Sequence, residues 1–169
     1  VTTVALREED RFLPNLEALK AAIRPDTKLI AFTNPNNPTG ALIEQPMLEA
    51  IAAIADSVGA YLLCDEVYRG TAQTGDSTSP SIADLYTKGI STAGMSKVFS
   101  LAGLRVGWVA APKEVREQIL IHRDYDTISV GMINDHFAAI ALEHADKVLA
   151  RSQEITRGNL AILDAWIAN

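Results

Sequence analysis

Five side chains with complementary chemistry are spaced along this chain of 169 residues. They are the amide of Asn37, the carboxylate of Asp65, the phenol of Tyr68, the amine of Lys97 and the guanidinium of Arg105. An amine can form a Schiff base with an aldehyde, and a planar guanidinium pairs well with a dianionic phosphate. A carboxylate can keep a pyridine nitrogen protonated, while an amide and a phenol can donate hydrogen bonds to a ring oxygen. The set therefore predicts a site for pyridoxal 5′-phosphate (PLP), which carries each of those groups.

The elements that must position these residues follow from the pattern of apolar residues, which predicts strands alternating with helices. Strands are expected at 28–33, 60–64, 89–93 and 106–110, and helices at 14–23, 46–58, 113–125, 134–142 and 146–167. Crossover helices make successive strands parallel, but the strand at 106–110 follows after a short loop and is expected to run antiparallel. Ligands bind at the carboxyl ends of parallel strands, and Asn37, Asp65 and Lys97 all fall just beyond such ends.

Turn residues mark the connections between these elements. The segment Asn34–Gly40 (Asn-Pro-Asn-Asn-Pro-Thr-Gly) predicts a loop with defined turns, in which Thr39 and Gly40 are structural. Gly59 is expected to cap the helix at 46–58, and the polar segment 70–80 to form a surface loop.

Each candidate residue also has an ordinary structural explanation. Lys97 could be a solvated surface lysine, Arg105 half of a surface ion pair, and Asp65 a carboxylate in water at a strand end. Tyr68 could be a packed aromatic and Asn37 part of a rigid turn. The context favours the functional interpretation, since Asp65 and Tyr68 follow a buried strand and Arg105 is expected at the start of another buried strand.

The sequence around Lys97 carries a resemblance to a known family. Residues 94–108 (Gly-Met-Ser-Lys-Val-Phe-Ser-Leu-Ala-Gly-Leu-Arg-Val-Gly-Trp) resemble the lysine motif of the class I/II aminotransferases, which are fold-type I PLP enzymes. The segment Asn34–Gly40 and the run Asp65-Glu66-Val67-Tyr68 are similar to two further marks of that family. The resemblance covers essentially the whole chain.

The resemblance implies a role for each residue. Lys97 forms the Schiff base and moves protons, Asp65 pairs with the pyridine nitrogen, and Asn37 and Tyr68 bind the ring 3′-oxygen. Arg105 binds the phosphate, and Ser96 is expected to face it as well. The chain departs from a common family pattern at residue 94, where Gly94 replaces a hydroxyl or amide residue and puts one phosphate hydrogen bond in question.

The resemblance also implies a fold and an activity. The fold is an α/β, three-layer large domain with a mostly parallel sheet and one antiparallel strand, ending in a long interdomain helix. Residues 1–145 are expected to be part of the PLP-binding domain, and 146–169 a helix leading toward a small C-terminal domain outside this chain. The implied reaction moves an amino group from an amino acid to a 2-oxo acid, in a cytoplasmic homodimer. A β-lyase, a cyclising synthase, an oxidase or the PLP-binding sensor domain of a transcription regulator remain alternatives.

The composition also argues against some classes of protein. Hydrophobic residues make up 48% of the chain, the net charge is −6 and the pI about 5.0, which argues against nucleic-acid binding. No apolar run reaches the roughly 20 residues that a bilayer-spanning helix needs. The single cysteine, Cys64, rules out an internal disulfide and fits a reducing compartment. Because the chain begins at Val1 without a methionine and ends at Asn169 near a helical pattern, we expect a segment of a larger protein.

The remaining candidates for chemistry are weaker. His122, His136 and His144 are expected on helices without the clustering that a metal site needs, so no metal is predicted. Cys64 is expected to be a small buried residue rather than a nucleophile.

Overall fold

A four-stranded sheet organises the chain, which the computed structural model describes over residues 1–73 and 78–168. In chain order and in sheet order, the strands are β1 (Leu29–Thr33), β2 (Tyr61–Asp65), β3 (Gly89–Gly94) and β4 (Gly107–Ala110). β1, β2 and β3 pair in parallel, and β4 runs antiparallel to β3. The predicted mostly parallel sheet with one antiparallel strand is therefore confirmed.

The described residues also form six α-helices. They are α1 (Leu16–Ala22), α2 (Gln45–Asp56), α3 (Ile82–Leu85), α4 (Lys113–Arg123), α5 (Met132–Glu143) and α6 (Ala145–Ile167). Five of them match predicted helices, with ends that differ from the predicted ones by up to a few residues. The side chain of Asn15 accepts a hydrogen bond from Ala18 N, so α1 begins after Asn15 rather than at Pro14. The short helix α3 was not predicted.

The main core lies between α2 and β2. Leu48, Ile51 and Ala55 recur at helical spacing on one face of α2 and are fully buried. They belong to the same cluster as Leu62, whose side chain points to this face of the sheet. Gly59, with φ of 68°, adopts the left-handed conformation just beyond α2 and lets the chain turn into β2, as predicted.

A second cluster supports the segment that follows β3. Met95, Val98 and Phe99 are buried against Ala138 and Ala141 of α5, and Leu149 of α6 packs on the same cluster. The backbone amide of Met95 donates to Val106 O at 3.0 Å, which ties the start of this segment to the strand beside it. The residues on either side of Lys97 are therefore fixed by packing, although Lys97 itself is exposed.

Two expectations about burial were wrong. β4 is exposed along its whole length, so Arg105 does not precede a buried strand. Gly70 and Ser79, at the two ends of the predicted surface loop, are buried because they bond to neighbouring elements. Residues 74–77 of that loop, like Asn169, lie outside the described part of the chain.

The position of Gly89 is closed to any side chain. A Cβ there would overlap the carbonyl oxygen of Ile82 and lie 2.9 Å from that of Tyr86. Gly89→Ala is therefore expected to lower the free energy of unfolding by about 3 kcal/mol, measured in urea. Gly103→Ala is the control, since a Cβ at Gly103 meets nothing within 4 Å. Equal effects of the two substitutions would contradict the steric explanation.

Candidate active site

The carboxyl ends of the three parallel strands lie level at one edge of the sheet. In the strand register Thr33 pairs with Asp65, and Asp65 pairs with Thr92. The amide of Asn34 donates to Asp65 O at 3.0 Å, and the amide of Glu66 donates to Thr92 O at 2.8 Å. The loops that carry the predicted site residues therefore all leave the sheet at the same edge, where ligands of open α/β sheets bind.

Asp65 is half-buried at the end of β2, and its carboxylate is held from two directions. Its Oδ1 accepts hydrogen bonds from Thr92 Oγ1 and from Val67 N, each at 3.2 Å. Among the described residues no hydrogen bond reaches Oδ2, so this oxygen is available to a ligand. Thr92 was not predicted as a site residue, because only the strand register shows that it lies beside Asp65.

The structure brings Tyr68 and Lys97 together. Lys97 Nζ lies 5.9 Å from the centroid of the Tyr68 ring, at the outer range of a cation–π contact. Lys97 sits in a turn in which Ser100 N donates to Lys97 O and Leu101 N donates to Met95 O, both at 2.9 Å. An exposed amine on a fixed turn beside a phenol ring is suited to covalent chemistry with a ligand at this edge.

Ser96 and Arg105 form a second close pair. Arg105 Nη1 donates to Ala102 O at 2.9 Å and lies 3.5 Å from Ser96 Oγ. Arg105 adopts a left-handed backbone with φ of 53°, uncommon for a residue with a long side chain and often found at functional sites. The pair presents a guanidinium and a hydroxyl together, the donors that a phosphate group requires.

The structure supplies a physical reason for Gly94. A Cβ at this position would lie 3.0 Å from the carbonyl oxygen of Val106, just before β4, and 3.2 Å from Cα of Gly107, the first residue of β4. A side chain at residue 94 would therefore crowd the pairing of β3 with β4. The hydroxyl of Ser96 stands next to Lys97 instead, within reach of Arg105.

In the asparagine-rich loop Asn34–Gly40, some asparagines are hydrogen-bonded within the fold and one is exposed to solvent. Asn34 is buried, donating to Ile43 O and Ser79 Oγ at 3.0 and 2.9 Å and accepting from Ile43 N at 2.8 Å. Asn36 donates to Thr39 Oγ1 at 2.7 Å. Asn37 is exposed, and its side chain makes no hydrogen bond within residues 1–73 and 78–168. The structure thus places Asn37 on the loop after β1 with an exposed side chain.

Cys64 and the three histidines are the remaining residues that the sequence offered for chemistry. Cys64 is only 1% exposed, and burial raises the pKa of its thiol well above the ordinary range, which disfavours the thiolate form. His122 lies in α4 and His136 in α5, whereas His144 joins α5 to α6 rather than lying within a helix. Residues 1–73 and 78–168 contain no group of three His, Cys, Asp or Glu side chains placed to hold a metal.

Glu66 was not singled out from the sequence, yet it anchors the turn that carries Asp65 and Tyr68. Its side chain points to the opposite face from that of Asp65 and is only 4% exposed. Glu66 Oε1 accepts hydrogen bonds from Ile82 N at 2.8 Å and from Ser81 Oγ at 3.1 Å, at the start of α3. The two adjacent acids therefore have different roles. Asp65 lies at the edge of the sheet, where a ligand could bind, whereas Glu66 is buried and bonds to the start of α3.

Removing the Glu66 carboxylate is expected to destabilise the fold. Glu66→Ala leaves the buried Ile82 amide without its acceptor, which should lower the free energy of unfolding by about 2 kcal/mol. Glu66→Gln keeps an acceptor oxygen and should lose less. Chemical denaturation of both variants, with the exposed Glu114→Ala as control, measures the difference. A loss from Glu66→Ala no greater than from Glu114→Ala would contradict the anchoring role.

Comparison with known proteins identifies the family. The family model described as "Aminotransferase class I and II" matches residues 1–162. The aspartate/prephenate aminotransferase of Thermus thermophilus is 37% identical over 116 residues, covering 68% of this chain and 30% of that protein. Capreomycidine synthase of Streptomyces vinaceus is 31% identical over 164 residues, covering 96% of this chain and 42% of that protein.

A solved structure agrees with these sequence matches. A PLP-dependent aminotransferase from Streptococcus suis superposes with a TM-score of 0.90 at 44% identity, covering 96% of this chain and 43% of that one. The chain therefore belongs to the class I and II aminotransferase family, has the fold-type I architecture, and has PLP as its expected cofactor. It spans less than half the length of the relatives it matches. No helix within residues 1–73 and 78–168 is long and apolar enough to cross a membrane.

Proposed function

We propose that the protein is a PLP-dependent aminotransferase that moves an amino group from an amino acid to a 2-oxo acid, with Lys97 as the attachment residue. The observation that carries this proposal is the placement of the Lys97 amine 5.9 Å from the Tyr68 ring, at the sheet edge where Asp65 ends β2. Family membership and curated relatives named as aminotransferases support the same reaction class.

The donor set fits PLP group by group. The Asp65 carboxylate matches the pyridine nitrogen, the Tyr68 phenol and Asn37 amide match the 3′-oxygen, and the Lys97 amine matches the aldehyde. Arg105, with Ser96 beside it, matches the phosphate. When bound, PLP supplies an aldehyde that takes up the amino group and a ring that withdraws electrons from the substrate Cα.

In this proposal Lys97 transfers protons, and Asp65 orients the pyridine ring. The Lys97 amine would hold the cofactor, and its Nζ would also serve as the base that accepts the proton leaving the substrate Cα. Because Thr92 and Val67 both bind Oδ1 of Asp65, the free Oδ2 can face the pyridine nitrogen. A half-buried carboxylate binds a cationic partner more strongly than an exposed one does.

Absorption spectroscopy combined with product analysis tests the proposal. The complete protein is mixed with PLP, and the visible absorbance is followed while single amino acids are added. We expect the visible band to bleach with the correct donor, with formation of its 2-oxo acid and no release of ammonia. Addition of a 2-oxo acid should then restore the band. A band that never forms would contradict the role of Lys97, and release of ammonia would favour a lyase or an oxidase.

A cyclising synthase is the second candidate. Capreomycidine synthase matches along 96% of this chain, a longer stretch than the 68% matched by the aspartate/prephenate aminotransferase. The same amine and carboxylate serve both reactions, since both begin with removal of a proton from Cα. The products distinguish them, because a cyclisation retains the substrate nitrogen in a ring and forms no 2-oxo acid.

The domain limits, partners and location belong to the same proposal. We propose that residues 1–145 are part of the cofactor-binding domain, and that α6, which spans Ala145–Ile167, leads toward a small domain. A cytoplasmic homodimer is supported by the reduced, buried Cys64 and by apolar side chains left in solvent, among which Tyr125 is 90% and Met132 is 84% exposed. Light scattering on the complete protein tests the dimer. A monomer at micromolar concentration would contradict it.

A further inference from the structure

Helix α6 contacts the loop that follows Tyr68 through two long polar side chains. Gln153 Nε2 donates to Gly70 O at 2.9 Å. Arg157 donates from Nε and Nη2 to Ala72 O, at 3.3 and 2.9 Å. Both acceptors are backbone carbonyls, so the bonds fix the path of the chain rather than one side chain. We call Gln153 and Arg157 the α6 clamp.

The clamped segment is joined directly to Tyr68. Thr71, which lies between the two clamped carbonyls, donates to Tyr68 O from its amide at 3.1 Å and from its Oγ1 at 2.7 Å. A displacement of Gly70 or Ala72 would therefore be transmitted to the backbone of Tyr68. Because Tyr68 has few rotatable bonds between its backbone and its hydroxyl, the position of that hydroxyl follows the backbone.

The same region of α6 also packs against the segment that holds Lys97. Gly70 is buried, and a Cβ there would lie 3.4 Å from Val98 Cγ2 and 3.6 Å from Leu149 Cδ2. Ser152 of α6 lies 3.4 Å from the hydroxyl of Ser100. The Tyr68 loop, the Lys97 turn and α6 are thus in mutual contact at one place.

We propose that Gln153 and Arg157 are positioning residues that hold the Tyr68 hydroxyl against the ring oxygen of the cofactor. The inference rests on the proposed function, because it takes Tyr68 as a ligand of PLP. Neither Gln153 nor Arg157 is among the candidate site residues at the sheet edge, so their effect on the cofactor must pass through Tyr68. The inference can therefore be tested by asking whether the effect of the α6 clamp depends on the Tyr68 hydroxyl.

The test measures the pH midpoint of the visible absorbance of PLP bound to the complete protein. Tyr68→Phe removes the donor to the ring oxygen, which destabilises the deprotonated chromophore and should raise the midpoint. Gln153→Leu and Arg157→Met should raise it in the same direction, by about 0.5 pH unit each. When either clamp substitution is added to Tyr68→Phe, no further shift is expected, because the hydroxyl that the clamp positions is gone.

A control and a second readout separate positioning from stability. Glu154→Leu places the same leucine on the exposed side of α6 and should leave the midpoint unchanged. Arg157→Lys keeps a donor and should recover part of the Arg157→Met shift. In the cofactor-free protein, hydrogen exchange at the Thr71 amide should become faster in Gln153→Leu and Arg157→Met, but not in Glu154→Leu.

The outcomes distinguish this inference from the function on which it rests. If Tyr68→Phe leaves the midpoint unchanged, the proposed role of Tyr68 fails, and the inference fails with it. If Tyr68→Phe shifts the midpoint but the clamp variants do not, the clamp alone is overturned. The clamp is also overturned if Gln153→Leu shifts the midpoint equally with and without the Tyr68 hydroxyl.

Discussion

Replacing Lys97 with arginine is expected to abolish turnover and leave the fold intact. Arginine stays protonated at any accessible pH, so it can neither attack the cofactor aldehyde nor accept the Cα proton. Losing both roles should lower kcat on the order of 10⁴-fold or more. The fold should tolerate the change, because the Lys97 side chain is exposed while its neighbours Val98 and Phe99 supply the packing. Steady-state transamination rates of the complete protein measure the loss.

Two measurements assign that loss to Lys97 chemistry. Borohydride reduction should fix PLP on the peptide containing Lys97 in the unmodified protein, and this label should vanish in Lys97→Arg. Lys113→Arg changes an exposed lysine at the start of α4 in the same way and should retain full activity. Label on another lysine, or turnover of Lys97→Arg within about tenfold of the parent, would show that a different amine performs the reaction.

The sheet edge could be predicted because its determinants are local in sequence. β1 and β2 end at the polar residues Thr33 and Asp65, and the apolar run before Asp65 is buried on alternate positions as a strand requires. The antiparallel course of β4 followed from loop length alone, since the loop after Lys97 has no room for a crossover helix. These patterns involve neighbours within a few residues, which a single sequence displays directly.

The supports of the site could not be predicted, because they join residues far apart in the chain. Glu66 bonds to Ile82, Thr92 to Asp65, and Arg157 to Ala72, and only the folded chain shows these pairings. The exposure of β4 was missed for a different reason. An apolar run predicts a strand, but its burial depends on what covers it, which the run itself does not encode.

Replacing Asp65 with asparagine is the second substitution from which we expect a large effect. Asparagine is nearly isosteric and keeps an oxygen that can accept from Thr92 and Val67, so the end of β2 should be preserved. It carries no charge, however, and cannot hold a proton on the pyridine nitrogen. The ring then withdraws electrons from Cα poorly, and kcat/KM for transamination should fall on the order of 10³-fold.

Thr92→Val separates the charge of Asp65 from its orientation. Valine matches the shape of threonine but removes the bond to Oδ1, while Val67 N keeps its own bond to that oxygen. The carboxylate stays charged but less well fixed, so kcat/KM should fall by only about tenfold. Asp84→Asn, which removes the charge of an exposed residue on α3, should have no effect.

Two outcomes would contradict this account of Asp65. If Thr92→Val cost as much as Asp65→Asn, the orientation of the carboxylate rather than its charge would limit the reaction. If Asp65→Asn were as harmless as Asp84→Asn, the pairing of Asp65 with the pyridine nitrogen would be wrong.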